Sequence, residues 1–354
     1  MGLGAAIFVG TSTSADSAFS GASQVEIYER AGETTTYAIR LPVTATGDDL
    51  SWLADSRVAP GSTLMIVVST SGGDAALVHG PVTGHAAKIA HGGEGSYVDV
   101  LGADLCVTMD RTHKTRAWED ARDSDAVSAI VSEAGLTPDV SSTDAVHRGA
   151  LRALAQCDTD LRFVRRLARR NGYLAWLSTD ATTRLDTFHF RAPQLDAAAS
   201  ATLVINQSGA NVEAVDLRWD SERPTVADAV QLDPVSLDDL DASGTSSAST
   251  PLGASTLASL VDGGSVRVVA PGDDSAMVQA RARGAAFEAE WFVQVSLETT
   301  LAALGTAVRA HDVVEIQGLG SLHSGRYFVS AVRHLIDATA HRMSVELVRN
   351  AWGS

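Results

Sequence analysis

The sequence contains only two cysteines, Cys106 and Cys157, among 354 residues. Two buried-looking thiols far apart in sequence point to folding in a reduced compartment rather than to a disulfide scaffold. There is no run of about 18 apolar residues, so neither a transmembrane helix nor direct membrane insertion is expected. No Lys or Arg precedes the short apolar stretch Ala5–Val9. A secretory signal needs a positive start, so no signal peptide is read. Basic residues are scarce: 27 Lys+Arg against 43 Asp+Glu give a net charge of -16. A non-specific nucleic-acid or anionic-membrane binder needs a basic face, and this balance argues against both classes. G-x-S-x-G, H-E-x-x-H, P-loop and C-x-x-C motifs are all missing. No catalytic, cofactor-binding or metal-ligating residue can be named, and no cofactor is expected.

The fragments that come nearest to a site have plainer readings. Gly2-Leu3-Gly4 lacks the strand and the third glycine of a dinucleotide fingerprint. Gly318-Leu319-Gly320 sits between strands and reads as a hairpin turn. His79, His85 and His91 are separated by Gly80-Pro81 and Gly84, which place them on different strands or turns. His334 and His341 flank a turn and read as a cross-strand pair. Asp238-Asp239 lie in a polar segment with no apolar pocket to raise one carboxyl.

At 45 % hydrophobic residues the chain can bury ordinary cores. Residues 1–22 turn small and polar after Val9 and read as a flexible arm. From residue 23 to 110 the pattern is one of short strands. Val25 and Ile27 alternate toward Tyr37, Ile39 and Leu41 as a hairpin, and Leu64–Val68 is a buried strand. Ala76–Val82 and His85–Ile89 read as the next pair, then Ser96–Val100 and Cys106–Met109. Such a series suggests a small barrel or sandwich. Residues 111–198 form an α+β module, with a helix over Ser124–Ala134 and a short helical piece over His147–Ala155. Residues 199–354 are again rich in strands, with a helix over Ala276–Phe292. They include an acidic, Ser/Thr-rich excursion at about 224–275, which reads as a long, poorly ordered loop. The fold class is α+β, mainly β.

The best-defined stretch is Gln156–Leu177. Asp158 or Thr159 supplies an N-cap. Leu161, Val164, Leu167 and Ala168 form one apolar stripe, and Asn171-Gly172 closes the helix. Tyr173, Ala175 and Leu177 alternate with Leu174 and Trp176 as a strand. Arg162, Arg165, Arg166, Arg169 and Arg170 cover the rest of the helix. In so acidic a chain they read as a solvated or intersubunit salt-bridge face rather than a nucleic-acid face.

This stretch resembles a segment of phage late-control D proteins and VgrG-type spike proteins. There, an acidic-aromatic start, here Asp160 and Phe163, leads into a helix ending R-L-x-x-x-x-G and an aromatic strand; Arg166, Leu167, Gly172 and Tyr173 match. Val78–Val82, the helix ending at Gly135-Leu136, and the G-x-Y-x-V-x-x-V-x-H run of Gly325, Tyr327, Val329, Val332 and His334 resemble further pieces in the same order. The resemblance implies a baseplate hub of a contractile tail or contractile injection system. It implies two tube-like β-barrel domains, 23–110 and 199–354, flanking the insert. A homotrimer would then join a sixfold inner tube protein to a threefold spike protein, alongside other baseplate proteins and with no specific nucleic acid. The spike is expected from a separate chain, because the sequence stops at Ser354 after the last hub strand. Such a protein is made in the cytoplasm and built into a particle, and it is not an enzyme. Rival readings are a hub-associated enzyme such as a peptidoglycan hydrolase, or a free β-rich binding or adhesin protein. Phage, tailocin and extracellular injection system remain open.

Overall fold

Alternating apolar residues from both halves of the chain build one sheet, and the other elements are arranged on it. The computed structural model describes residues 3–46, 49–91, 93–233, 235–268 and 274–353; Gly2 of the Gly2-Leu3-Gly4 fragment lies outside them. The first region contains β1 (Ala6–Val9), β2 (Gln24–Arg30), β3 (Thr36–Pro42), β4 (Thr63–Thr70), β5 (Gly73–Lys88) and β6 (Tyr97–Ala103). The insert contains β7 (His113–Trp118), α1 (Asp123–Glu133), β8 (Thr137–Val140), β9 (Leu154–Thr159), α2 (Asp160–Asn171), β10 (Leu174–Thr179) and β11 (Asp186–Arg191). The last region begins with β12 (Thr202–Val204), β13 (Val215–Trp219), β14 (Val226–Leu232), β15 (Asp239–Asp241), β16 (Ser265–Val268) and α3 (Ser275–Ala289). It ends with β17 (Val293–Thr300), β18 (Val313–Gln317), β19 (Gly325–Asp337) and β20 (His341–Arg349). Shorter strands and single helical turns join these elements. None of the helices is long and apolar enough to cross a membrane, among the described residues.

Twelve strands share the main sheet, in the order β1-β4-β5-β6-β3-β2-β19-β20-β17-β13, with β18 on β19 and β12 on β18. The chain is mainly β, at 43 % strand and 20 % helix. The first and last regions do not form separate sheets. They are fused where β2 pairs antiparallel with β19, from Gln24 opposite Asp337 to Arg30 opposite Ala331. Val25, Ile27, Ile39 and Ile336 lie in the first core, while Val295, Tyr327, Val329, Val332 and Leu347 fill the last.

The insert has its own core. Val127, Ile130 and Val131 of α1 meet Phe163, Val164 and Leu167 of α2 over Phe188 and Phe190 of β11. Thr159 Oγ1 accepts from the Arg162 N–H at 3.4 Å, and Gly172 ends α2 at φ 67°. The left-handed residue costs glycine nothing, which is why Asn171-Gly172 stops the helix cleanly.

Five segments differ from the sequence reading. The expected flexible arm is partly built into the fold: β1 pairs with β4, and Phe19 is buried in the first core. Ile7 belongs to the short apolar stretch Ala5–Val9, and Phe19 is a single apolar anchor in the polar stretch after it, too little to show periodicity. Ala76–Val82 and His85–Ile89 are not a hairpin but one bent strand, β5. It pairs with β4 through Pro81 and with β6 from Val82 onward. Pro81 lacks an N–H and sits at the hand-over between partners. Leu105–Asp110 is a 3-10 helix rather than a strand, because Asp104 accepts from the Cys106 N–H at 2.9 Å. Only Gly149–Arg152 of the expected His147–Ala155 helix is helical, and Leu154 opens β9 against β7. Cys106 is buried, but Cys157 is exposed on β9.

The acidic excursion is the largest correction. Pro234 and residues 269–273 lie outside the described residues, but β14 pairs antiparallel with β15 and parallel with β16. Ala227, Ala229 and Ala242 then pack against Val278, Ala282 and Ala286 of α3. Alanine cores give little periodic signal, yet they let a sheet and a helix approach closely.

Helix α3 also packs on α2. A Cβ on Gly284 would lie 2.5 Å from the Arg169 carbonyl oxygen, so only glycine permits this crossing. Gly284→Val is expected to lower stability by on the order of 3 kcal/mol through this overlap. Leu167→Asp should do at least as much by placing a charge in the insert core. The exposed Arg169→Ala should stay within about 0.5 kcal/mol. Denaturant titrations of the three variants check the ranking, and a neutral Leu167→Asp would overturn the assignment of that core.

Candidate functional site

The parity that buries Val25 and Ile27 also turns Glu29 inward, leaving it 4 % exposed at the end of β2. Its Oε1 accepts from Arg309 Nε at 2.6 Å and its Oε2 from the Ala310 N–H at 3.1 Å. Arg309 also donates to the Ala76 and Leu77 carbonyls of β5 at 2.6 and 2.8 Å. His334 of β19 places Nε2 3.4 Å from Glu29 and Nδ1 3.0 Å from Nε2 of the buried His341. Burial alone would raise the Glu29 carboxyl. Arg309 and then His334 outweigh it and hold the group at about 2. Burial, with His334 adding to it, pushes His341 down to about 3.

Beside this network, a cleft of about 400 Å³ separates β10 and β11 from the 309–313 segment. Trp176 of β10 stacks on His311 at 4.1 Å between ring centroids and on His189 of β11 at 4.7 Å. His311 adopts φ 77° and accepts from the Gly32 N–H at Nε2, 3.0 Å away. Burial drives its imidazole down to about 3. His189 is in turn 2.6 Å from Asp139. A second tie joins insert and sheet where His79 of β5 lies 3.0 Å from Asp186 of β11. His85 instead contacts the Val58 carbonyl at 2.8 Å, and His91 is exposed. Glu29 is committed to Arg309, and His311 to a backbone N–H. The arrangement fastens the insert to the sheet.

The residues singled out in the sequence fall into two groups that do not meet as one site. Asp160, Phe163, Arg166, Leu167, Gly172 and Tyr173 belong to the insert. Asp160 accepts from Lys114 and, at 2.7 Å, from Gln156 Nε2. Phe163 and Leu167 are fully buried, and the Arg166 guanidinium lies 5.2 Å from the Phe163 ring. Tyr173 meets Phe190 edge-on at 5.3 Å and donates to the Ser142 carbonyl at 3.1 Å. Gly325, Tyr327, Val329 and His334 all lie on β19. The register shifts between Val329 and Ala331, which keeps Val329 and Val332 in the same core. Gly325 and Tyr327 pack on Arg349 of β20, which is 1 % exposed. Its guanidinium donates to the Leu252 and Ser324 carbonyls at 3.1 and 3.3 Å. Glu29, Arg309, His311, Trp176 and Arg349 had not been singled out as site residues. Among the described residues, no group of three or more His, Cys, Asp or Glu is arranged to hold a metal ion.

Residues 43–338 match the family model described as the Alg8 N-terminal domain. The chain belongs to the Alg8 N-terminal domain family. No curated protein matches it in sequence. Among solved structures, a tail protein from Neisseria meningitidis is similar over 99 % of this chain and 98 % of its own, at 14 % identity and a TM-score of 0.65. The 43 kDa tail protein of prophage MuSo2 from Shewanella oneidensis is similar over 98 % of both chains, at 12 % identity and a TM-score of 0.65. An E. coli component of the type VI secretion system, itself structurally similar to T4 bacteriophage tail proteins, is matched over 98 % of this chain and 78 % of its own. Its identity is 12 % and its TM-score 0.60. At these identities the likeness is one of fold: this member of the family has a phage tail-protein fold.

The buried histidines make the junction sensitive to acid. The unfolded chain takes up protons at His311 and His341 near pH 6.5, whereas the folded chain resists until about 3. Both contributions are therefore complete above about pH 6.5 and fall away below it, by up to ~1.4 kcal/mol per pH unit for each group. Glu29 has the same sign, contributing above 4.5 and losing its contribution toward 2. Urea titrations between pH 7.5 and 5 should show falling stability with a shallower slope in His311→Asn, since Asn tolerates positive φ. A flat wild-type profile would contradict the assignment.

Proposed function

We propose that this chain is the structural baseplate hub of a contractile tail or contractile injection system. The carrying observation is that its likeness to tail proteins runs through the whole chain, insert included, and through nearly the whole of the tail proteins. The motif residues from Asp160 to His334 favour the late-control D type of hub. In this reading the first and last β regions, about 23–110 and 199–354, act as the two tube-like barrel domains, with 111–198 as the insert between them. Three copies then present six near-equivalent β units. That is how a threefold spike can be matched to a sixfold tube. The partners are two further copies, an inner tube protein, a separate spike protein and other baseplate proteins. The chain is made in the cytoplasm and incorporated into the particle. Its role is mechanical, and catalysis is not part of it.

Sedimentation of the purified chain over a range of concentrations should reveal a trimer, because ring interfaces of this type are large. Added spike protein should co-sediment with it. A well-folded monomer at every concentration, with spike or without, would overturn the hub assignment. A peptidoglycan zymogram should show no clearing.

A further inference from the structure

The whole chain is acidic, yet one cleft in it is basic. Arg162, Arg165, Arg166, Arg169 and Arg170 of α2 and Arg281 of α3 line a space of about 640 Å³ between the two helices. Asp158 and Glu288 are the carboxylates of that lining, and Val268 and Ala285 add an apolar surface. Part of this charge is used locally. Arg170 is paired with Asp123, Arg162 lies 3.1 Å from Asp110, and Arg165 donates to Thr34 Oγ1 at 2.8 Å. Arg166 is only loosely held, 3.6 Å from Asp158, and keeps half of its side chain exposed. Arg169 is exposed, and no ion pair involves it among the described residues.

The complementary surface is carried by the excursion. The β14–β15 hairpin leaves Val230, Leu232, Val235 and Leu237 at 47 %, 48 %, 70 % and 68 % exposure. A cluster of aliphatic side chains in solvent marks a contact surface. Asp238, Asp239 and Asp241 stand on the same hairpin and take part in no ion pair among the described residues. Asp233 secures the turn by accepting from the Val235 and Ser236 N–H groups at 2.7 and 2.9 Å, with Arg148 nearby.

The two surfaces lie at opposite edges of one small unit. The sheet order is β15-β14-β16, all packed on α3. Val268 in β16 borders the arginine cleft, while β15 and its aspartates form the far edge. A surface and its complement on opposite sides of one subunit make head-to-tail contacts, and these close into a ring when the rotation permits.

We propose that the Val230–Asp241 hairpin of one copy seats in the arginine cleft of the next. Aspartates meet Arg166 and Arg169, and the exposed aliphatic residues cover Val268 and Ala285. This rests on the trimeric hub proposed above and names the surfaces that hold the trimer together.

The test uses the full chain in analytical ultracentrifugation. Raising salt should weaken the wild-type trimer, because exposed charge pairs are screened. Arg166→Glu with Arg169→Glu, and separately Asp238→Lys with Asp239→Lys, should each raise the dissociation midpoint by ~10-fold or more at unchanged melting temperature. Combining the two pairs should restore the midpoint to within about threefold of wild type, since the attraction is only reversed in direction. Leu237→Ser should weaken the trimer without any change of charge, and it gives the same reading if a charge reversal perturbs folding. A wild-type trimer that ignores both charge reversals would overturn this contact and leave the hub reading standing. A wild-type monomer would overturn both. Retention of a short duplex DNA that is lost in the arginine variant, with the trimer intact, would assign the cleft to nucleic acid and also overturn the proposal.

Discussion

The pairing of β2 with β19 is the constraint on which the rest of the structure depends. It brings together residues from near the two ends of the chain, 307 positions apart at the Glu26–Arg333 ion pair. Closing so long a loop costs conformational entropy that local contacts do not recover, so the ladder must be reinforced. The reinforcement is the buried Glu29 network. Arg309 ties the carboxylate to two carbonyls of β5, and His334 brings in β19 and β20. Buried ion pairs add little net stability compared with apolar packing, but breaking one is expensive. Their value here is in register. A slip of one residue along β2 would turn Glu29 to the opposite face and leave Arg309 uncompensated.

The insert is fastened to this sheet at several places. Trp176 and His311 close one junction, His79 and Asp186 a second, and Arg165 with Thr34 a third. On its other side, α2 rests on α3 across Gly284, which links the insert to the small alanine-cored sheet. The insert thus contacts elements from both the first and last regions. Motion at any one junction is resisted by the others. The insert residues singled out in the sequence are mostly core and capping residues.

Sequence reading succeeded where one element buries one clear face. β2 and β3 were legible from alternation and β4 as a continuous apolar run between turn residues, and α1 and α2 from apolar stripes ended by a glycine. Even the bulge in β19 was written in the motif: the step from Val329 to Val332 is three residues where a regular strand would use two or four. Charged residues in inward positions were legible by the same parity but passed over. Glu29 follows Val25 and Ile27, and Arg349 follows Met343, Val345 and Leu347. Other features depend on partners distant in sequence. His311 lies outside any periodic element, and its meaning comes from Trp176. The Pro81 hand-over depends on which strand β5 meets next. The excursion was misread because its core is alanine, a residue that marks neither exposure nor burial clearly.

Charge shows the same division between composition and geometry. A net charge of -16 describes the far field, and it argues against broad attraction to polyanions. It says nothing about a cleft narrower than the screening length, where only neighbouring groups count. On α2 the arginines are not equivalent, although they share one helix. Arg170 is locked to Asp123 beside His147, Arg165 serves the Thr34 loop, and Arg166 and Arg169 remain turned toward solvent. The first two hold the chain together, whereas the last two keep much of their surface in solvent, Arg166 only loosely held by Asp158. A helix with an apolar stripe below and arginines above therefore has three roles along its length. The stripe builds the core, the anchored cations set the position of the insert, and the exposed cations define what the insert presents outward.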